Sequence, residues 1–404
     1  MAGYPDTDTQ RLLVLGAGPA QLGLLRAAHE RGLFTIAVYR DPAAPGFRYA
    51  SRRAIFSNED EVAIERLADA ERVDGIIAPG TDWQVAIAAR VAERLGLPHP
   101  ISPATGVLAT SKLRQRERFE EAGVSQPRWK VVNEADETIG FPCVVKAPDR
   151  QGQKGLGYVR EAGELADAVE RARLASRSGL VMVEELVPGP EVTVNAFSVG
   201  GRFVPLTITD RHVAEPPAFG VALAHVWEDR PFDPAVVEAA RLAAEAVGIE
   251  EGPSYVQLRI GPDGPQVIEL AARLGGGHDA ELCRAAVGVD LNGLALAGAL
   301  GEDIPEIRPE PQVGGACVLF LVPPPGVLQE VTGLEDAKAE EGVLDALAYR
   351  APGHVFGPLR RGSDRAGAVL AVGASSEQAL ERARRAADRI RFETADAEAL
   401  LSET

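Results

Sequence analysis

Strand-length apolar runs and helix-period segments alternate over the first hundred residues. Arg11-Leu-Leu-Val-Leu15 is a short buried strand, and Gln21 to Glu30 places Leu22, Leu25 and Ala28 at helical spacing. Phe34 to Val38 is the next strand. Gly75 to Ala78 runs into Pro79-Gly80, and Trp83 to Leu95 is helical. This βαβ rhythm predicts a parallel sheet with covered faces. Leu97-Pro98-His99-Pro100 and Pro103 break it and mark a boundary.

Lys112 to Ala122 then reads as a charged helix closed by Gly123, with Pro127 beyond it. Trp129 to Val194 follows as strand, strand, loop, strand, helix, strand. Ser198 to Val226 holds strands joined by a loop rich in Pro and Ala, and Pro234 to Val247 is an amphipathic helix closed by Gly248. Tyr255 to Ile260 and Gln266 to Leu270 flank Pro262-Asp-Gly264, a hairpin signal. Past Pro305, Ala316 to Val322 and Ala368 to Val372 are strands. Ser375 and Gln378 form a capping box for a helix reaching Ile390, and the polar tail after Glu393 is expected to fray.

A chain of 404 residues is long for one core, so two or three domains are expected. No run approaches the roughly 20 apolar residues of a membrane helix, and Met1 to Gln10 lacks the apolar core of a signal peptide. Cys143, Cys283 and Cys317 are odd in number and far apart, which argues against a disulfide framework or a zinc site and fits the cytoplasm. With 42 basic and 59 acidic side chains the net charge is −17, a poor balance for gripping a nucleic-acid backbone. It leaves room for ATP, which a few local lysines, backbone amides and a metal can hold.

Several segments carry chemistry. Glu269-Leu-Ala-Ala-Arg273, running into Gly275-Gly276-Gly277, sets a carboxylate at a strand end, an arginine four residues on and a glycine turn. That pattern suits Mg²⁺ and a transferring phosphate. Gln257 lies on the facing strand of the same hairpin, and two oxygen donors across a hairpin can share Mg²⁺. The plainer alternatives are a satisfied core amide for Gln257 and a structural ion pair for Arg273. Lys146 ends the strand Cys143-Val-Val145, and Gly152, Lys154, Gly155 and Gly157 follow at once. Exposed backbone N–H groups and a point charge suit a loop that folds over phosphates; a mobile hairpin is the alternative. In Val181-Met-Val-Glu184-Glu185-Leu-Val187-Pro-Gly-Pro-Glu191, backbone from Glu185 to Val187 can meet adenine edges and Glu191 can accept ribose hydroxyls. The three acids are otherwise ordinary solvated groups near a turn. Gly16-Ala-Gly18-Pro-Ala-Gln21-Leu-Gly23 approximates a dinucleotide fingerprint, with Gln21 at the third glycine position.

Taken in order, these pieces resemble the ATP-grasp superfamily of carboxylate–amine or carboxylate–thiol ligases, over about residues 11 to 390. The resemblance implies a mixed α/β and α+β chain. A Rossmann-like pre-ATP-grasp domain would span 10–100, a two-lobed ATP-grasp domain 101–308 with its small nucleotide lobe at 128–195, and a closing α+β domain 309–395. It implies Lys112 and Lys146 as nucleotide lysines, Gly152, Lys154 and Gly155 in the phosphate-covering loop, Glu184, Glu185 and Val187 at the adenine hinge, and Glu191 at the ribose. It places Gln257 and Glu269 at the metal, Mg²⁺ or Mn²⁺, and Arg273 at the reacting atoms. The nearest likeness is to L-amino-acid ligases, whose substrate loop Thr209 to Phe219, ending at His225, resembles. Arg211, His225, Gly276 and Gly277 become expected substrate contacts. The end of the chain, with Gly357-Pro358 and Asp364-Arg365-Ala-Gly367, is also similar to biotin carboxylase.

Four positions depart from that pattern: Gln257 replaces an acid, Ala271 an asparagine, and Ala222 an acid that would hold a substrate ammonium. Gly277 replaces a bulky aromatic, which suggests a roomier pocket. The implied reaction joins a small-molecule carboxylate to an amine through an acyl phosphate, in a cytoplasmic homodimer with no nucleic-acid or membrane partner. The competing readings are a bicarbonate-using carboxylase, an NAD(P)-dependent oxidoreductase built on the N-terminal glycine loop, and a non-catalytic ATP-binding protein.

Overall fold

The structure, a computed structural model, describes residues 9–133 and 139–396. Its first sheet is parallel, in the order Arg52–Ala54, Phe34–Val38, Arg11–Leu15, Gly75–Ile77. Arg11–Leu15 is buried along nearly its whole length because helices cover both faces, which is why it reads as a continuous apolar run. Helix Leu22–Glu30 begins just after the glycine loop, and helix Asp82–Leu95 just after Gly80.

The small lobe is an antiparallel sheet in the order Trp129–Val132, Val181–Glu185, Cys143–Lys146, Gly157–Val159. Helix Ala162–Ala175 covers one face with Leu165, Ala168, Val169 and Ala172, a spacing that places all four on one stripe.

An eight-stranded antiparallel sheet forms the main scaffold, with a separate three-stranded antiparallel sheet near the end of the described residues. Its order is Gly264–Ala271, Gly252–Gly261, Glu191–Val199, Arg202–Val213, Ala222–Glu228, Gly315–Leu321, Gly367–Gly373, Val343–Ala348. Ala222–Glu228 pairs directly with Gly315–Leu321, so this one sheet crosses residues 308 and 309 without a break. Side chains from both sides of that position therefore share one sheet face. Helix Ser376–Arg389 packs Ala379, Ala383 and Ala386 on the last strands, and Ser375 Oγ accepts the Gln378 N–H at its N-terminus. The tail does not fray at Glu393: Arg391–Ala395 is a strand paired with Gly326–Thr332. An edge strand with few buried positions has little hydrophobic signature, and its order comes from backbone pairing. No single helix among the described residues is long and apolar enough to cross a membrane.

Candidate active site

The hairpin of Gly252–Gly261 and Gly264–Ala271 sets Gln257 opposite Glu269, and the register slips immediately afterwards, between Gln257 and Leu258. Such a bulge twists a strand and redirects its side chains. The carbonyls of Val267 and Ile268 beside it accept from Arg116, at 3.0 and 2.7 Å. Gln257 Nε2 donates to the Tyr255 hydroxyl at 3.3 Å, leaving its amide oxygen as the end available to a cation. Glu269 Oε1 accepts from Lys112 Nζ at 2.7 Å, and that ammonium also donates to the Arg150 carbonyl. Burial would raise the Glu269 carboxyl, but Lys112, then Lys146 and Arg273, outweigh it and hold it below its ordinary value. It is therefore a carboxylate, an anionic oxygen, at neutral pH. Hard oxygen donors of this kind fit Mg²⁺ whose remaining ligands are phosphate and water.

Lys146 ends its strand as expected. Its ammonium donates to Glu184, whose other oxygen accepts from Arg116 Nε at 2.9 Å. All three side chains are buried, Arg116 and Glu184 at 1% exposure. Burial would raise the Glu184 carboxyl, yet Arg116 and Lys146 lower it to about 2. The Glu185 carboxylate is likewise taken, by the backbone N–H and guanidinium of Arg128. At this hinge both acidic side chains have protein partners, so a base edge would be met by backbone.

A cleft enclosing about 850 Å³ opens between the small lobe and the large sheet. Lys112, Lys146, Gly152, Lys154, Glu184, Glu185, Val187, Glu191, Gln257 and Glu269 all line it. Gly155 does not. Its φ is +71°, and a Cβ there would press on Ala147 and Ala175 at 2.9 and 2.7 Å, so this glycine serves the turn and its packing. Glu191 is ion-paired to Arg211 at 2.8 Å, and that arginine lines a second cavity of about 1590 Å³.

The second cavity holds Arg211, His225, Arg273, Gly276 and Gly277. Arg273 Nε donates to Asp82 at 2.7 Å, and Asp82 in turn has its backbone N–H held by Gln151 of the glycine loop. His225 Nδ1 lies 3.0 Å from Asp279 Oδ1, and burial holds the imidazole below its ordinary value. Gly277 does not open extra room. A Cβ at 277 would stand 2.6 Å from His225 Cε1 and 3.1 Å from Phe320 Cζ, so those rings already occupy the space an aromatic side chain would fill. Gly277→Ala is expected to displace His225 and lower kcat by roughly ten- to a hundredfold, with Mg·ATP affinity unchanged by calorimetry.

The dinucleotide reading fails on Gln21. Its buried side chain folds back so that Oε1 accepts the Gly18 N–H at 2.9 Å, and it lies against Gly16 where a pyrophosphate would approach. Gly23 serves packing, since a Cβ there would collide with Glu281. Asp82, Arg116, Tyr255 and Asp279 are the site residues whose roles depend on distant partners.

The two cavities share Gln151, Gly152, Gln153, Gln257 and Glu269, so the glycine loop and the Gln257–Glu269 strand pair form their common wall. Residues 319–395 match the family model described as L-amino acid ligase C-terminal domain 2. The formate-dependent phosphoribosylglycinamide formyltransferase of Burkholderia thailandensis is 30% identical over 407 residues, covering 94% of this chain and 95% of the relative. The L-amino acid ligase of Bacillus licheniformis has a similar structure, with a TM-score of 0.80 at 22% identity over 97% of this chain and 100% of that one. The biotin carboxylase domain dimer of Hydrogenobacter thermophilus 2-oxoglutarate carboxylase, in complex with MgADP and bicarbonate, gives 0.78 at 18% identity over 95% and 91%. Those two likenesses show the fold; the formyltransferase, matched almost end to end, shows the family. The chain belongs to the ATP-grasp superfamily of ATP-dependent carboxylate–amine ligases.

Proposed function

We propose that ATP occupies the 850 Å³ cleft, that a carboxylate donor and an amino-acid amine share the 1590 Å³ cavity, and that they react across the wall between them. The observation that carries this reading is the shared wall: a γ-phosphate at the end of the first cavity would meet a carboxylate at the near end of the second, beside Glu269. A donor carboxylate oxygen attacks the γ-phosphorus, the bond to the β-phosphate oxygen breaks, and ADP leaves. The amine nitrogen then attacks the acyl carbon, inorganic phosphate leaves, and the nitrogen gives up a proton. Lys112 and Lys146 hold phosphoryl charge, and Arg273 faces the oxygens of the acyl phosphate and the tetrahedral intermediate.

Glu269 and Gln257 would hold Mg²⁺, which when bound neutralises charge on the nucleotide phosphates. Gln151 to Gln153 close the wall: Gln151 binds the Asp82 N–H, while Gln153 reaches Gly220 and Gly362 from two other elements. A loop held at three points excludes water that would hydrolyse the acyl phosphate. The amino-acid assignment of the amine is supported by the C-terminal family match. The dimer named for the biotin carboxylase domain supports a homodimer here, acting on soluble metabolites in the cytoplasm.

The test is ADP release from Mg·ATP with pools of acids and amines, with the amide identified by mass spectrometry. Release that requires both substrates is expected. Release with bicarbonate and no amine would support the carboxylase reading instead, and ATP binding without release from any pair would sink the ligase.

A further inference from the structure

An amine that forms an amide must give up a proton, and most carboxylates at the 1590 Å³ cavity are already engaged. Asp82 is held by Arg273 and Glu269 by Lys112, while Asp41 is exposed. Asp279, behind the lining, lies against His225 and accepts the Gly277 N–H. Tyr349 lines the same cavity and opens a chain of buried groups that leads away from it. His278 Nε2 lies 2.6 Å from the Tyr349 hydroxyl, and the two rings stack with centroids 5.8 Å apart. On the far side of the imidazole, Glu281 Oε2 lies 3.6 Å from His278 Nδ1, and Glu281 Oε1 accepts from Asn292 Nδ2 at 2.9 Å.

The order of these groups sets the direction of the hydrogen bonds. Burial would raise the Glu281 carboxyl, but His278, with Asn292 adding to it, holds it below its ordinary value, so it is a carboxylate. A carboxylate only accepts, and it favours the imidazole tautomer with hydrogen on Nδ1. Nε2 is then the acceptor and the Tyr349 hydroxyl the donor, the order of an acid–imidazole–hydroxyl triad. Burial pushes the Tyr349 phenol up, so it stays neutral and passes one proton on as it takes another. The other charges nearby are Arg26, ion-paired with Asp345 at 2.7 Å and acting on Glu281, and Arg350 and Arg365, which act on Tyr349. The backbone also singles out His278. Its φ is +59°, in the left-handed region, while Gly275, Gly276 and Gly277 before it all lie outside that region. A glycine would take this conformation without steric cost, so the imidazole is kept there against backbone strain, as happens at functional sites.

We propose that the Tyr349 hydroxyl takes the proton of the attacking amine while His278 Nε2 takes the hydroxyl's own proton, with Glu281 stabilising the imidazolium. The proposal rests on the ligase reading, in which the nitrogen loses a proton. The amine attacks as the free base, and its nitrogen bonds to the acyl carbon. An N–H proton passes to Tyr349 Oη as the hydroxyl proton passes to His278 Nε2. The bond from the acyl carbon to the phosphate oxygen breaks, and the departing phosphate takes the proton back through Tyr349 and leaves as hydrogen phosphate. Tyr349 is the catalytic residue of this step; His278 and Glu281 are positioning residues that act through it.

The test compares two nucleophiles with the same pool of carboxylic acids and Mg·ATP. One is an L-amino-acid mixture. The other is hydroxylamine, a weakly basic amine that is free base at neutral pH and sheds its proton readily once it has attacked. Tyr349→Phe keeps the ring stack and should lower kcat for amide formation by on the order of a hundredfold, but hydroxamate formation by less than about tenfold. His278→Asn should behave alike, because asparagine tolerates a positive φ but cannot take the proton. Glu281→Gln should fall between these variants and the wild type. Mg·ATP affinity, read by calorimetry, should stay constant in all three, since none of these residues lines the nucleotide cleft. A purely structural role would slow both nucleophiles alike, so equal losses overturn the proposal and leave the ligase standing. Undiminished amide formation in Tyr349→Phe does the same and gives the proton to another acceptor, such as His225. If no acid supports ADP release with either nucleophile, the ligase reading fails, and long-range nitrogen–proton NMR of the imidazoles at neutral pH decides separately. The His278 signals are those missing in His278→Asn. A ring protonated on Nδ1 alone supports Nε2 as the acceptor, and one protonated on Nε2 overturns the proposal.

Discussion

Glu269→Ala is expected to lower kcat for ADP release by at least about a thousandfold, with a smaller change in Mg·ATP affinity. The asymmetry follows from what touches this carboxylate. Lys112 Nζ binds Glu269 at 2.7 Å, so the lysine proposed for the nucleotide neutralises the acid proposed for the metal. Removing the acid frees Lys112 for phosphate and offsets part of the lost binding, whereas nothing else on the common wall of the two cavities offers an anionic oxygen. Gln257 supplies only a neutral one. Glu269→Gln keeps the shape and one oxygen but loses the charge, and should fall almost as far. Steady-state kinetics beside calorimetry would separate the two effects. A loss confined to Mg·ATP affinity, with kcat unchanged, would mean that Glu269 acts in ground-state binding alone, and an active Glu269→Ala enzyme would remove it from the metal site.

Glu269, Gln257 and Lys146 were legible in the sequence because each sits where a local signal fixes the backbone. Pro262-Asp-Gly264 sets the hairpin, and a short apolar run sets the strand that ends at Lys146. Their partners were less legible. Arg116 lies in a helix so rich in charge that it reads as solvated, yet that helix buries Gln115, Arg116 and Phe119. Only the packed structure shows that Arg116 faces the bulge and Glu184. Asp82 and Arg273 are 191 residues apart, and no periodicity links an acid at one helix start to an arginine beyond a strand in another region. Gly277 misled for a related reason: a missing side chain looks like space until the neighbouring rings are placed. The strand Arg391–Ala395 was missed because edge pairing leaves little trace in hydropathy.

Loss of the Glu184 carboxylate should damage the small lobe as well as nucleotide binding. Arg116 and Lys146 approach each other through Glu184 alone, in a site where all three are buried. Glu184→Ala leaves two cations without their counter-charge, a change that costs about 3–5 kcal/mol when one partner of a buried pair is removed. Arg116 also holds the carbonyls beside Glu269, so a loosened Arg116 transmits the damage to the hairpin that carries Gln257 and Glu269. The wild type carries a pH signature of this interaction. The Glu184 carboxyl is lowered from 4.5 to about 2 in the folded state, so its stabilisation is fully present above about 4.5 and is lost as pH falls towards about 2, a difference of about 3 kcal/mol. Amide hydrogen exchange of strand Val181–Glu185, and of its neighbour Trp129–Val132 where Trp129 faces Glu184, reads this locally. Protection in the wild type should fall across that pH window. In Glu184→Ala it should start lower and show a shallower fall. Identical acid profiles in the two proteins would mean that Arg116 and Lys146 are stabilised by something other than this carboxylate. Glu184→Gln, which keeps hydrogen-bonding atoms but no charge, should follow the alanine variant in its pH profile while losing less stability.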